Sequence, residues 1–232
     1  SGAQRWSATH AMPNAGALVQ PARGTRAEFT PIEQHYRIDV NTRMPVVSAR
    51  QWRLQVGGLV AVPLALALDD LTAFAPEHQF VTLACISNPV GGDLIGTTRW
   101  TGVSLARLLS TFRTTSAATH LKLTSADGFS EVVSLALIRA DPRVMLTYAW
   151  DGLPLPVEHG FPARLYVPDL YGMKQPKWIV SIDALDHWEE GYWVARGWDR
   201  DGRMKSTAVV DAATATGVTP DGRLLVQVGG IA

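Results

Sequence analysis

Along this chain apolar and polar positions alternate over short runs, and only briefly do the apolar ones fall at helical spacing. Gln51–Leu59, Leu64–Leu68 and Phe80–Ala84 read as strands, as do His120–Thr124, Val144–Trp150, Ala163–Val167 and Trp178–Leu185. Behind Ser104, a candidate N-cap, the leucines of Leu105–Phe112 recur with a helical period. Asp69 or Asp70 is placed to cap a short helix through Phe74, and Ser134 to cap another. Asp127-Gly128 and Asp151-Gly152 mark turns. Strands outnumber helices, and no strand–helix–strand alternation is sustained. The pattern predicts an α+β fold of mixed or antiparallel sheet with short helices.

The two ends read differently. Residues 1–35 are Gly/Pro/Ala-rich with little periodicity, which suits an extended arm draped over the domain. After Trp198 the charge density rises, and a Thr/Ala-rich connector runs to Thr219. Leu224–Val228 then starts a strand with no visible partner, as if residues 206–232 were a connector and the start of a further module. The longest apolar run, Leu59–Leu68, is broken by Pro63, so no segment is long enough to span a bilayer as a helix. No signal peptide is visible at Ser1, and the opening Ser-Gly-Ala reads as a cloning remnant. An export signal or membrane anchor outside this sequence therefore stays open.

Of the 232 residues, 47% are hydrophobic, enough for a sizeable core. Lys and Arg number 21, as do Asp and Glu, so no global field favours nucleic acid, and any anion site must be local. Cys85 is the sole cysteine. It can be an inert core thiol, a nucleophile or a single metal ligand, but not half of an internal disulfide. Gly, Pro and basic residues at loop-to-strand boundaries suit an anion, notably in Glu158–Arg164 and Tyr171–Trp178. The phosphate-loop and dinucleotide fingerprints are absent, as are zinc-spaced histidines and a haem-attachment motif. A Cys-His hydrolase stays open, since any of six histidines can approach the thiol.

Four segments together carry a resemblance. Cys85-Ile86-Ser87-Asn88-Pro89-Val90-Gly91-Gly92-Asp93 through Arg99-Trp100-Thr101-Gly102-Val103 resembles the cofactor loop of the sulfite oxidase-like molybdopterin oxidoreductases. His159-Gly160-Phe161-Pro162-Ala163-Arg164, Tyr171–Trp178 and Gly191-Tyr192-Trp193 to Gly197-Trp198 resemble further segments of that family, in order, over residues 30–200. The resemblance implies a molybdenum–molybdopterin cofactor in a catalytic domain over residues 36–205. It makes Cys85 the metal's single protein ligand, a role that suits a soft thiolate. It further implies that His159, Arg164, Lys177 and the backbone near Gln175 hold the pterin and its phosphate. Asp39, Asn41 and Ser125 are weaker carry-overs to the same cofactor, and Tyr148 aligns with an active-site tyrosine. Arg99 and Trp100 either line the pocket or stack beside a sheet, and Lys174 is solvated or touches phosphate. Trp52, Trp188 and Trp193 read as packing, and His35, His78 and His187 as structural or surface residues.

The implied activity is two-electron oxygen-atom transfer to or from a small sulfur- or nitrogen-oxide substrate. An external haem- or quinone-linked electron partner follows, because the chain carries no haem or flavin site. The parent protein is expected to be extracytoplasmic or membrane-associated, and dimeric through a C-terminal module. Sulfite-oxidising members carry basic residues just after the ligand cysteine. Here Asn88-Pro89-Val90 stand there, so a dianionic substrate lacks its counter-charge. A cofactor-free binding domain on the same fold and a thiol hydrolase are the rival readings.

Overall fold

Two five-stranded sheets form the framework of the computed structural model, which describes residues 22–231. Most of the arm expected over residues 1–35 thus lies outside the described residues. The first sheet orders β2 (Leu64–Leu66), β1 (Leu54–Gly58), β10 (Ile179–Leu185), β5 (His120–Ser125) and β6 (Ser130–Ser134). Only β1 and β10 run parallel in it, so the sheet is mixed. The second orders β3 (Glu77–Ala84), β4 (Ile95–Ser104), β7 (Met145–Trp150) and β8 (Leu153–Pro154), with β9 (Arg164–Tyr166) also on β7. All its pairings are antiparallel.

The helices are short and amphipathic. In α2 (Leu105–Phe112) the side chains of Leu105, Leu108, Leu109 and Phe112 share one buried stripe, as their spacing predicts. Ser134 caps α3 (Leu135–Ala140) through its hydroxyl, which accepts from Ala136 N at 3.1 Å. The helix α1 (Leu68–Thr72) differs from expectation: Ala67 holds the N-cap, and Asp70 reaches back from the first turn to accept from Ala67 N at 2.8 Å. An acidic residue works there as well as in front of the helix, because the free N–H groups span the whole first turn.

The main core packs α2, α3 and the inner faces of both sheets around Leu54, Leu121, Leu146, Leu165 and Ile182. A smaller cluster lies around Trp100 and Trp150 and receives Ile32 from the arm. These tryptophans face each other across β4 and β7, with ring centroids 4.8 Å apart. Cross-strand aromatic pairs of this kind stabilise a sheet beyond the area they bury.

Besides the two-residue β8, three strands escaped the pattern. β4 starts at Ile95, five residues before its visible apolar part, because Thr98 and Arg99 are polar yet buried. β6 was read only as the approach to a helix. The supposed connector is itself a strand, β11 (Val209–Val218), and it is the partner that β12 (Leu224–Ile231) was thought to lack. Threonine and valine favour extended backbone even where few apolar side chains mark it. Among the described residues no helix is long and apolar enough to cross a membrane.

Phe112 is fully buried at the end of α2. Phe112→Ala should cost about 3–5 kcal/mol of stability. Urea unfolding checks this, and a loss under about 1 kcal/mol would place Phe112 outside the main core.

Candidate active site

Cys85 directly follows β3, where the chain leaves the sheet. Its N–H donates to Leu94 O at 2.9 Å and its carbonyl accepts from Asn88 N at 3.0 Å. The Asn88 side chain closes the loop by accepting from Leu94 N at 2.9 Å. Asparagine is thus spent on holding the loop, and Val90 beside it is 88% exposed. The thiol contacts the Ser87 hydroxyl at 3.0 Å and looks into a cleft of about 890 Å³, mouth included. Among the described residues no three His, Cys, Asp or Glu side chains cluster to hold an ion.

The same cleft is lined by Asp39, His159, Arg164, Gln175 and Lys177. His159 ends a 3-10 turn, and Gly160 after it has φ +113°, which favours glycine. A side chain there would meet the Cβ atoms of Arg164 and Lys177 at 3.0 Å, so glycine lets these two cations close in. Arg164 is buried beneath Trp100 and Trp150, its guanidinium carbon 4.7 and 5.4 Å from their ring centroids. One amino group donates to His159 O at 3.0 Å, while Nε is buried with no partner. Burial brings this guanidinium down to about 10, against the pull of Tyr36 and Asp39. It still carries its charge at neutral pH.

Lys177 Nζ donates to the carbonyls of Ile38 (3.2 Å) and Glu158 (3.0 Å) and to the Asp39 carboxylate. Arg37 holds the other oxygen of Asp39 at 2.5 Å. Burial lowers Lys177 to about 8 despite this ion pair. Burial, and then Arg164, drive His159 down to about 3, so its ring is neutral and offers hydrogen bonds, not charge. Arg37, Arg164 and Lys177 therefore gather against one carboxylate, and the excess positive charge calls for an anion.

Several expected residues stand elsewhere. Tyr148 packs half-buried against the main core and does not line this cleft. Alternation alone would put Tyr148 and Trp150 on one face, but the β4–β7 register slips by one residue between Thr101–Ala149 and Gly102–Thr147, so Tyr148 packs with Leu146 on the main core and Trp150 with the smaller cluster. Ser125 is buried beside the β5–β6 turn with a partnerless hydroxyl, also off the cleft wall. Asn41 donates to Asp127 O at 2.9 Å and braces a wall residue without lining the cleft itself. Arg99 is interior, beside His78 at 3.3 Å, and Trp100 stacks on Arg164. Lys174 is neither solvated nor at the anion: it is buried against Glu131 at 2.7 Å. Burial raises the Glu131 carboxyl, opposed by Lys174. Trp52 and Trp188 pack as read, but Trp193 lines the cleft together with Trp198. His35 is structural, buried against Trp150 at 4.7 Å between centroids.

Sequence reasoning missed Tyr36 and Arg37, although they immediately precede the Asp39 it selected. Tyr36 is a wall residue whose phenol is pushed up by burial. Its hydroxyl fits because residue 172 is glycine, where a Cβ would come within 2.8 Å of it. An aromatic next to a basic residue in an otherwise aperiodic arm was the available signal.

A family profile described as an oxidoreductase molybdopterin binding domain matches residues 41–193. The chain belongs to this family. An Azospira oryzae protein, YedZ1, whose name proposes it as a protein-methionine-sulfoxide reductase subunit, is 29% identical over 81% of this chain and 68% of its own. Mouse mitochondrial sulfite oxidase is 32% identical over 67% of this chain and 35% of its own, so the chain spans about a third of that relative. The sulfane dehydrogenase SoxCD of Paracoccus pantotrophus shares the fold at TM-score 0.65 and 21% identity, over 91% of this chain and 55% of that one. The chain is thus a molybdopterin-dependent oxidoreductase domain of the sulfite oxidase type, and its cofactor is molybdenum–molybdopterin. The cleft fits that group. It offers one thiol at one wall, three cationic groups sharing a single carboxylate for a phosphate, and two orphaned buried polar atoms, Arg164 Nε and Gln175 Oε1.

Two outcomes follow. Lys174→Met strands a buried carboxylate and should cost about 3–5 kcal/mol, much of it recovered by adding Glu131→Gln. Thermal unfolding of the single and double variants reads this, and an additive double variant would deny the pairing. Sulfate should bind the cofactor-free protein best when Lys177 is protonated. Its affinity should therefore fall as pH rises through about 8, approaching tenfold per unit above it. Calorimetry checks this, and a flat profile would remove Lys177 from the anion site.

Proposed function

We propose that this domain catalyses two-electron oxygen-atom transfer to or from a small sulfur- or nitrogen-oxide substrate, with Cys85 as the metal's sole protein ligand. The single observation that carries the reading is one cleft with a lone thiol in its wall and, in the same lining, an under-compensated cation cluster built around the buried Arg164. When bound, the cofactor supplies the oxygen-atom transfer itself and stores the two electrons.

The chain's own residues do the rest. Arg164, Lys177 and Arg37 neutralise the phosphate, and neutral His159 hydrogen-bonds the pterin end. Gln175, already donating to Val167 O and Leu170 O, offers its free carbonyl oxygen. Asp39 fixes the two flanking cations in place. Tyr36, Trp193 and Trp198 wall the cleft and exclude water. Ser87, at 3.0 Å, orients the sulfur.

A neutral sulfoxide or N-oxide suits the cysteine loop better than sulfite. Asn88 and Val90 provide no counter-charge for a dianion, and both are committed to loop closure or open to solvent. The sulfoxide chemistry in the Azospira relative's name runs in the same direction. A haem- or quinone-linked carrier outside the domain would deliver the electrons. The thiol hydrolase is disfavoured, since the thiol's hydrogen-bond partner is a hydroxyl, not an imidazole.

Cys85→Ser in protein from a host that synthesises the cofactor should reduce turnover of dimethyl sulfoxide with an artificial electron donor to background. An active Cys85→Ser enzyme would remove the ligand assignment.

A further inference from the structure

One buried ion pair stands outside the cleft lining, yet both ends of a cleft wall rest on it. Lys174 ends the 3-10 turn Gly172–Lys174, and Glu131 lies on β6. Lys174 Nζ donates to the carboxylate at 2.7 Å, and the two side chains are 6% and 0% exposed. The same carboxylate oxygen accepts from Val132 N at 2.9 Å, while the other is buried with no hydrogen-bond partner. Apolar side chains would join these segments with less desolvation penalty. An ion pair adds a fixed direction and length, because a buried charge drawn off its partner regains no water.

Two glycines show what presses on the pair. A Cβ at Gly191 would lie 2.5 Å from both Glu131 oxygens, and one at Gly202 would lie 2.6 Å from Lys174 Cγ. The stretch 191–202 thus sits with its first residue on the carboxylate and its last on the lysine stem. Backbone bonds fasten it near the same two points. Tyr192 N donates to Ser130 O at 2.9 Å, and Gly202 O accepts from Tyr171 N at 2.8 Å.

Between these ends stand Trp193 and Trp198, ring centroids 5.9 Å apart, both in the lining of the cofactor cleft. The stretch has only the 3-10 turn Val194–Arg196 as regular structure, and residues 195–200 are exposed. Arg196 stacks on Tyr192 and Arg200 on Trp188 at its outer side. With so little backbone bonding of its own, its placement depends on what its ends rest on.

We infer that Glu131 and Lys174 are positioning residues for the cofactor. The pair seats residues 191–202 at both ends and so holds Trp193 and Trp198 against the cleft. The same lysine, one residue ahead of Gln175 and three ahead of Lys177, fixes the anion-binding wall. One buried contact thereby sets the aromatic and the cationic walls together. The inference rests on the cofactor's placement in this cleft and adds the device that retains it there.

Trypsin reads the stretch directly, since Arg196 and Arg200 are exposed cleavage sites within it. On cofactor-free protein, Lys174→Met should speed cleavage after these two residues at least about tenfold relative to cleavage elsewhere in the chain. Phe112→Ala, a truncation in the main core, should leave that ratio unchanged. Gly191→Ala pushes on the carboxylate without removing either charge and should raise the ratio too; it carries the test alone if Lys174→Met does not fold. From the loaded enzyme, Gly191→Ala should release molybdenum during dialysis at least about tenfold faster than wild type. An unchanged ratio in either folded variant, or an equal rise in Phe112→Ala, overturns the seating. Faster cleavage with unchanged molybdenum release overturns the retention role. Loading that gives the wild-type stretch no protection from trypsin overturns the cofactor's placement in this cleft, and the retention role falls with it.

Discussion

A guanidinium that cannot shed its charge, held dry beneath two tryptophans, is the constraint around which this domain is arranged. Arg164 sits under Trp100 and Trp150 with a buried, partnerless Nε. Leaving a charge so poorly compensated costs stability, and an apolar side chain of similar size would pack there with less penalty. The arrangement makes sense when an anionic ligand completes it. Around that charge the structure brings in the His159 carbonyl, the Asp39 carboxylate and the phenol of Tyr36, from elements far apart along the chain.

The segment from Tyr171 to Trp178 shows how scaffold and site share residues. Its alternate positions face different duties. Gly172 makes room for Tyr36, Gln175 and Lys177 enter the cleft, and Lys174 turns inward to Glu131 on β6. That buried pair fastens the cofactor segment to the first sheet, while Cys85 comes from the end of a strand in the second. The cleft therefore lies where the two sheets' loops converge, and relative movement of the sheets would separate Cys85 and Arg164 on the second from Lys177 beside β10 of the first.

Cys85 contributes to the lining of two clefts that differ in charge. The smaller gathers Arg37, Arg164 and Lys177; the wider mixes apolar and hydroxyl side chains. Electrostatic segregation of this sort sorts ligands before any shape matching begins.

Much of this was legible in the chain itself. Alternation marked most strands, leucine spacing marked α2, and the Cys85, His159–Arg164 and Tyr171–Trp178 motifs marked the family and five of the cleft's residues. Such signals are local: a period or a short motif depends on neighbours in sequence. What the chain concealed depends on neighbours in space. Burial of Arg99 hid the start of β4, a cross-sheet carboxylate decided the fate of Lys174, and a register slip in β7 turned Tyr148 into the core. Tyr36 and Arg37 became wall residues only because the segment Tyr36–Val40 folds against the cleft, and Arg26 meets Asp211 across most of the chain's length. A side chain's type limits what it can do, but the desolvation and partners that select among those options exist only once distant segments have packed together.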